Sequence, residues 1–160
     1  MLYFGLKYLH LIGAAVLLGT GAGIAFFLLL AHSTRNTAII AGVARIVVIA
    51  DFVFTASAVL VQPITGIALA AQDGYFLGEG WILLSILLYL VAGAFWLPVV
   101  WMQMRMRDLA AAAEAEAAPL PRSYHRLFRT WFAFGFPAFA AVLAIFWLMI
   151  TRPAIQLLTI

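Results

Sequence analysis

A lysine and a histidine three residues apart, Lys7 and His10, lie near the start of a long apolar run. Residues at this spacing share one face of an α-helix. A neutral imidazole is a common ligand of haem iron, copper and zinc, and its second nitrogen needs an orienting partner. His10 is therefore a candidate metal or cofactor ligand, and Lys7 a candidate partner for a lipid phosphate or a haem propionate.

A second set of polar residues follows in the next apolar run. Its members are Asp51, Thr55, Gln62 and Thr65. Separations of four, seven and three residues place them along one face of a helix. A central aspartate costs about 3 kcal/mol to insert into a membrane, so Asp51 needs a partner or a proton. The neighbours expected for Asp51 are Thr20, Trp96 and Trp131. The alternative is that such residues only join helices, at about 0.6 kcal/mol per hydrogen bond.

The composition identifies the solvent of these residues as a lipid bilayer. Hydrophobic residues make up 67% of the 160 residues and charged residues 9%, and the mean hydropathy is +1.13. Four apolar runs are long enough to span a membrane. We predict one all-α domain, an antiparallel bundle of four transmembrane helices over residues 1–160, with helices at about 3–31, 39–71, 80–118 and 124–151.

Basic residues cluster at one end of the predicted bundle. The arginines that flank its first and third loops are Arg35, Arg45, Arg105, Arg107, Arg122, Arg126 and Arg129, against Lys7 and Arg152 at the other end. The positive-inside rule then predicts that both termini face the periplasm or exterior, in a bacterial cytoplasmic membrane. The net charge of +3 is accounted for in this way, and nucleic acid is not an expected partner.

Counting from the span midpoints predicts which residues share a level. His10 lies about 10 Å from the bilayer centre at 1.5 Å per residue, level with Gln62, Ser85 and Tyr89. Pro63 should free the carbonyl near Val59 and bend its helix. The candidate cofactor-binding residues are therefore His10, Lys7, Gln62, Thr65 and Tyr89.

Other residues receive simpler interpretations. His32 and His125 are expected near water or headgroups at the basic end, and Ser123 is expected to cap the last helix. Two interfacial aromatic belts are predicted: Trp81 and Trp147 form one, and Trp101 and Trp131 the other. Met102, Met104 and Met106 offer soft copper ligands, although their alternating spacing disfavours a single site. The chain contains no cysteine, which excludes disulfides and thiolate sites.

Three segments carry a resemblance to known families: LKYLHLIGAAVLLGTG, ADFVFTASAVLVQPITG and WLPVVWMQMRMRDLA. Together they resemble a bacterial family of predicted four-helix integral membrane proteins of unknown function, over almost the whole chain. The Lys7-x-x-His10 pattern also resembles HemJ-type membrane protoporphyrinogen oxidases, and the histidine-led first helix resembles CopD-like copper-resistance proteins. The HemJ resemblance implies a role for His10 in haem function.

Three functions remain open from the sequence. The first is a b-type haem or quinone-linked redox protein with His10 as ligand, and an oxidoreductase is the enzyme class that fits it. The second is a small transporter or copper-handling protein that uses the polar stripe. The third is a membrane component without catalysis. The substrate, the second axial ligand and homo-oligomer formation are left open.

Overall fold

The computed structural model describes residues 1–155, which form helices and no strands. The helices are α1 (Leu2–Ser33), α2 (Thr37–Ala50), a π-helical turn (Asp51–Thr55), α3 (Ala56–Gln72), α4 (Gly80–Ala115) and α5 (Arg122–Thr151). Because α2, the π-helical turn and α3 form one continuous stretch, Thr37–Gln72, four helical segments are long and apolar enough to cross a membrane. Helices satisfy their own backbone groups, which lipid cannot do. The predicted all-α fold with four transmembrane helices is confirmed.

The helices pack in a definite order. The most extensive contact joins α4 to α5, while α2 packs on α4 and α1 packs on α3. By comparison, α1 touches α5 only slightly. The tightly packed core lies towards the loops at 34–36 and 116–121, which we call the basic end, and includes Leu28, Ile40, Met106 and Tyr124. The other half of the bundle is packed less completely.

The π-helical turn interrupts the helix that carries the polar stripe. The amide of Ala56 donates to the carbonyl of Asp51, five residues back, where an α-helix would bond four residues back. One extra residue is thereby accommodated in the turn. Asp51 and Thr55 are its first and last residues, and both are buried. Turns of this kind occur frequently at functional sites.

The ends of the helices correct two predictions. The third span ends at Ala115 instead of residue 118, because Ala117 has a left-handed φ of 49° and Pro119 follows. Ser123 does not cap α5, since the helix begins at Arg122 with Pro121 in the cap position and no side-chain cap. The N-terminus of α2 is capped by Asn36, whose side-chain oxygen accepts a hydrogen bond from the Ile39 amide at 3.2 Å.

Pro63 lies inside α3, as expected, and the carbonyl that it frees accepts a hydrogen bond from another helix. A proline has no N–H, so the carbonyl four residues earlier, Val59, has no helical donor. The Tyr89 hydroxyl of α4 donates to this carbonyl. Tyr89 therefore joins α4 to α3 at the proline, and the Val59 carbonyl is already occupied by a side chain of the protein.

Candidate functional site

Of the residues predicted to share a level with His10, Gln62 meets it, and so does Thr65 of the polar stripe. Nδ1 of His10 lies 2.8 Å from the Thr65 hydroxyl, and the Gln62 amide donates to the His10 carbonyl at 2.8 Å. Close packing of α1 on α3 makes both contacts possible. A Cβ added at Gly66 would lie 3.2 Å from Cε1 of the His10 ring, and one added at Gly13 would collide with the Gln62 amide.

One tautomer of His10 satisfies the hydrogen bonds of Thr65. The Thr65 hydroxyl lies 2.8 Å from the Val61 carbonyl, which can only accept. If the single hydroxyl proton serves that carbonyl, Nδ1 of His10 must carry the proton that it donates to Thr65. Nε2 then keeps its lone pair. A ring oriented through Nδ1 with Nε2 available is the arrangement usual for metal-ligating histidines.

Three other residues predicted near His10 do not join it. Lys7 is exposed and lies 5.7 Å from the centre of the Tyr3 ring on its own helix. Ser85 is buried and donates to the Trp81 carbonyl one turn earlier. Tyr89 bonds to Val59, as described above. The five residues proposed as one cofactor site therefore divide into a His10–Gln62–Thr65 group, a separate Tyr89 contact and a free Lys7.

A second polar group surrounds Asp51, which is only 3% exposed. Its carboxylate accepts from Nε1 of Trp96 at 3.4 Å. The Gln103 amide satisfies both of its neighbours in one orientation, in which its nitrogen donates to Asp51 at 3.1 Å and its oxygen accepts from Nε1 of Trp131 at 3.1 Å. Trp96 and Trp131 were both expected near Asp51, whereas Gln103 was not identified. The position of Gln103 in α4 relative to Trp96 and Pro98 did not indicate that it would contact Asp51.

The carboxyl group of Asp51 has only neutral partners. Within residues 1–155 the ion pairs join Arg107 to Asp108 and Arg152 to Asp73, so none involves Asp51. A buried acid without a basic partner is costly inside a membrane and usually marks a functional position. Asp51 is therefore suited to hold or exchange a proton, with Trp96 and Gln103 orienting its oxygens.

A cavity of about 450 Å³ opens beside this group, and we call it the central cavity. Its walls come from α1, the π-helical turn, α3, α4 and α5. The polar residues among its lining are Asp51, Thr55, Gln62, Tyr89, Trp96, Gln103 and Trp131. The rest of the wall is apolar and includes Phe132, Phe136, Phe139 and Phe146. Its volume falls within the range of small-molecule sites, about 300 to 1,000 Å³.

Three glycines keep the central cavity wide. Gly21, Gly93 and Gly135 all line it, and a Cβ added at any of them would meet nothing within 4 Å. Phe136, at its edge, is 63% exposed. Since α1 packs only slightly on α5, and α3 packs even less on α4 and α5, these helices do not close tightly around the cavity.

One polar atom in the central cavity lacks a hydrogen bond of normal length. The Thr55 hydroxyl is buried without such a bond, although the Asp51 carboxyl is near enough to interact with it more weakly, and Thr55 is 6% exposed. An unpaired buried hydroxyl typically costs about 1 to 3 kcal/mol. A ligand that accepts a hydrogen bond would remove this cost.

Several simpler predictions need correction. Trp81 and Trp131 are 7% and 4% exposed and do not belong to interfacial belts; Trp81 donates to Glu79 at 2.8 Å. Trp101 and Trp147 are 54% and 67% exposed, as belt residues should be. His32 is partly buried, and its ring stacks on Phe128 with 3.7 Å between centroids.

The methionines do not form a common site. Met102 and Met106 are buried in the core at the basic end, while Met104 is only partly buried and belongs to a different helix face. Residues 1–155 contain no group of three or more histidine, cysteine or acidic side chains that are placed to hold a metal ion. His10 and the Asp51 group remain as separate candidates.

The fold and the central cavity define a multi-pass integral membrane protein. The chain belongs to the family described as predicted integral membrane protein (DUF2269), whose model matches residues 4–153. No curated protein and no solved structure matches the chain. The description of the family names no activity, so a proposal for function depends on the chemistry of the site.

The Asp51 group predicts an energetic coupling between Gln103 and Trp131. Replacing Gln103 by Leu leaves Nε1 of Trp131 without an acceptor, and replacing Trp131 by Phe leaves the Gln103 oxygen without a donor. The double variant should therefore be less destabilised than the sum of the two single variants, by about 1 kcal/mol. The free energy of unfolding in mixed micelles measures this.

The control for this cycle pairs Gln103→Leu with Trp147→Phe. Trp147 is 67% exposed and is not bonded to Gln103, so these two changes should add to within about 0.5 kcal/mol. Equal additivity in both cycles would show that the Gln103–Trp131 bond is not formed.

Proposed function

We propose that this protein binds a hydrophobic ring compound of the isoprenoid quinone class in the central cavity, with the ring beside Thr55 and Asp51. The single observation that carries this proposal is the incompletely bonded Thr55 hydroxyl in the wall of a mostly apolar cavity. Quinone oxygens accept hydrogen bonds, and the rest of the molecule is apolar. The sparse packing of α1 on α5 and of α3 on α4 and α5 would give such a ligand a route from the bilayer.

The dimensions of the central cavity support a long ligand. Its lining extends from Asp51 to Gln62 along one helical stretch, which corresponds to about 16 Å at 1.5 Å per residue. The polar atoms are concentrated towards the Asp51 end, and the phenylalanines of α5 line the remainder. A polar ring at one end and an isoprenoid chain along the other part match this distribution.

The residues of the chain have distinct roles in this proposal. The Thr55 hydroxyl donates to one oxygen of the ring. The Asp51 carboxyl gives or takes the proton that quinone and quinol exchange, and Trp96 and Gln103 hold that carboxyl in place. Electrons would have to come from a partner, so the proposal assigns to this chain binding and proton exchange, without a complete redox reaction.

The first experiment for this proposal titrates purified protein with decylubiquinone in detergent and follows indole fluorescence. Quenching should saturate in the wild-type protein, because Trp96 and Trp131 line the cavity. Gly135→Leu fills the cavity and should abolish the saturable part. Thr55→Val removes the hydroxyl at similar volume and should weaken binding by about 5- to 10-fold, the loss of one hydrogen bond.

Gly19→Leu is the matched control. Gly19 also belongs to a helix and has no atom within 4 Å of an added Cβ, but it does not line the cavity. Its affinity should equal that of the wild-type protein. Quenching that rises linearly without saturation in all four proteins would refute the proposal.

A second candidate function, haem b or metal ligation by His10, is favoured by one observation. The contact of Nδ1 with Thr65 at 2.8 Å orients the ring and leaves Nε2 available. It has less support than the quinone proposal, because no histidine of residues 1–155 lines the central cavity. The haem would then lie against the α1–α3 face, near the exposed Lys7.

Haem ligation predicts a visible spectrum. Protein expressed with haem supplementation should show a Soret band that shifts on dithionite reduction, and His10→Ala should lose it. His125→Ala, which changes an exposed histidine at the basic end, should keep it. A colourless wild-type protein, or a band that survives His10→Ala, would exclude His10 as the ligand.

We also propose that the basic end faces the cytoplasm, with both termini outside, as the positive-inside rule implies. The absence of native cysteines allows a direct test with single cysteines at exposed loop positions. A membrane-impermeant maleimide added to intact spheroplasts should label Leu77→Cys and not Glu116→Cys. The reverse labelling pattern would invert the orientation.

A further inference from the structure

A second pocket, of about 390 Å³, lies at the basic end between α4 and α5. We call it the basic pocket, and its lining consists of Trp101, Arg105, Leu109, Ser123, Arg126 and Leu127. We propose that it binds the phosphate group of an anionic phospholipid. This site is separate from the central cavity and does not depend on the function proposed for that cavity.

The two arginines of the basic pocket are available for an external anion. Within residues 1–155 the ion pairs use Arg107 and Arg152, so Arg105 and Arg126 have no carboxylate partner there. Asp108, the acidic residue nearest to Arg105 in sequence, is 2.8 Å from Arg107. Guanidinium groups match the geometry of phosphate oxygens and bind them through paired hydrogen bonds.

The start of α5 adds neutral donors to the basic pocket. Because α5 has no side-chain cap, the amides of Arg122 and Ser123 at the start of this 30-residue helix lack partners from the helix itself, whereas the Tyr124 amide donates to the Pro121 carbonyl. The Ser123 hydroxyl belongs to this first turn and lines the pocket. Helix N-termini favour anions through their amides and dipole. This contribution is additional to the arginine pair, which defines the pocket.

The depth of the arginines corresponds to lipid phosphate. With residues 93 and 138 taken as the bilayer centre in α4 and α5, Arg105 and Arg126 are each twelve residues away, or about 18 Å at 1.5 Å per residue. The hydrocarbon region ends at about 15 Å from the centre and the headgroup region at about 20 to 22 Å. The Cα atoms of Arg105 and Arg126 therefore lie at the same depth, inside the headgroup region.

The apolar part of the basic pocket indicates a lipid instead of free phosphate. Trp101, one turn nearer to the membrane centre than Arg105, is 54% exposed. Leu109 and Leu127 are partly buried against the core. Side chains of this kind can contact the glycerol and the upper acyl chains, which inorganic phosphate lacks. Basic pockets between transmembrane helices bind anionic lipid headgroups in this way.

The experiment measures lipid binding to delipidated, detergent-solubilised protein by native mass spectrometry. The probes are dioleoylphosphatidylglycerol, dioleoylphosphatidylcholine and inorganic phosphate. The double variant Arg105→Gln/Arg126→Gln should raise the Kd for phosphatidylglycerol about 10- to 30-fold, since each arginine near the surface contributes about a factor of five. All changed side chains are exposed, so the unfolding temperature should not change.

The matched control is the double variant Arg122→Gln/Arg129→Gln. It removes the same charge from the same end, and its residues are also exposed and lie outside the pocket. Its Kd should change less than threefold. If both double variants lost the same affinity for phosphatidylglycerol, the effect would come from the total charge of the basic end, and the proposed site would be wrong. Phosphatidylcholine binding as tightly as phosphatidylglycerol would also contradict the proposed site, and inorganic phosphate competing at the lipid's own concentration would overturn the lipid assignment.

Discussion

A polar group inside a bilayer has no water to bond, so it must find its hydrogen-bond partner within the protein. The polar contacts between the helices supply such partners. The carbonyl freed by Pro63 is met by Tyr89, the His10 carbonyl receives a second donor from Gln62, and Asp51 receives Trp96 and Gln103. Each contact joins two different helices. The polar residues thus determine which helices meet, and in what register, while the apolar surface alone would permit many arrangements.

Within residues 1–155 three buried side-chain atoms lack a hydrogen-bond partner, namely Nδ1 of His32, the Tyr124 hydroxyl and the Thr55 hydroxyl, and of these residues only Thr55 lines the central cavity. Its neighbours in the stripe find partners, whereas it faces a cavity that three glycines keep open. A protein selected only for stability would fill such a space, because dispersion contacts are lost at every wall of a void. The combination of an open cavity and an incompletely bonded hydroxyl is the feature on which the proposed ligand depends. The basic pocket differs from the central cavity, because its unpaired groups are the charged side chains of Arg105 and Arg126 at the membrane surface. In our proposal these arginines bind lipid headgroups.

Much of this arrangement could be predicted from the sequence. Hydropathy gives the four spans, and counting residues from their midpoints brings His10 level with Gln62 and Tyr89 because the rise per residue of a helix is constant. The same reasoning failed where side-chain direction decides the outcome. Counting could not tell that Tyr89 reaches Val59 instead of His10, or that Trp131 points inward while Trp101 points outward. Gln103 was overlooked because nothing along one helix reveals which residue of another it will contact. The central cavity depends on the packing of five helical segments and has no local signature.

The π-helical turn has a consequence for the two halves of its helix. Residues before it pack mainly on α4, and residues after it mainly on α1. Each residue of an α-helix turns the chain by about 100°, so one additional residue sets the angular phase between these two contact surfaces. Deleting a single residue between positions 51 and 55 would restore a regular helix and rotate Gln62 and Thr65 away from the carbonyl and the imidazole of His10 that they now contact. Asp51 in this turn and His10 on α1 are therefore linked by geometry even though no bond connects them.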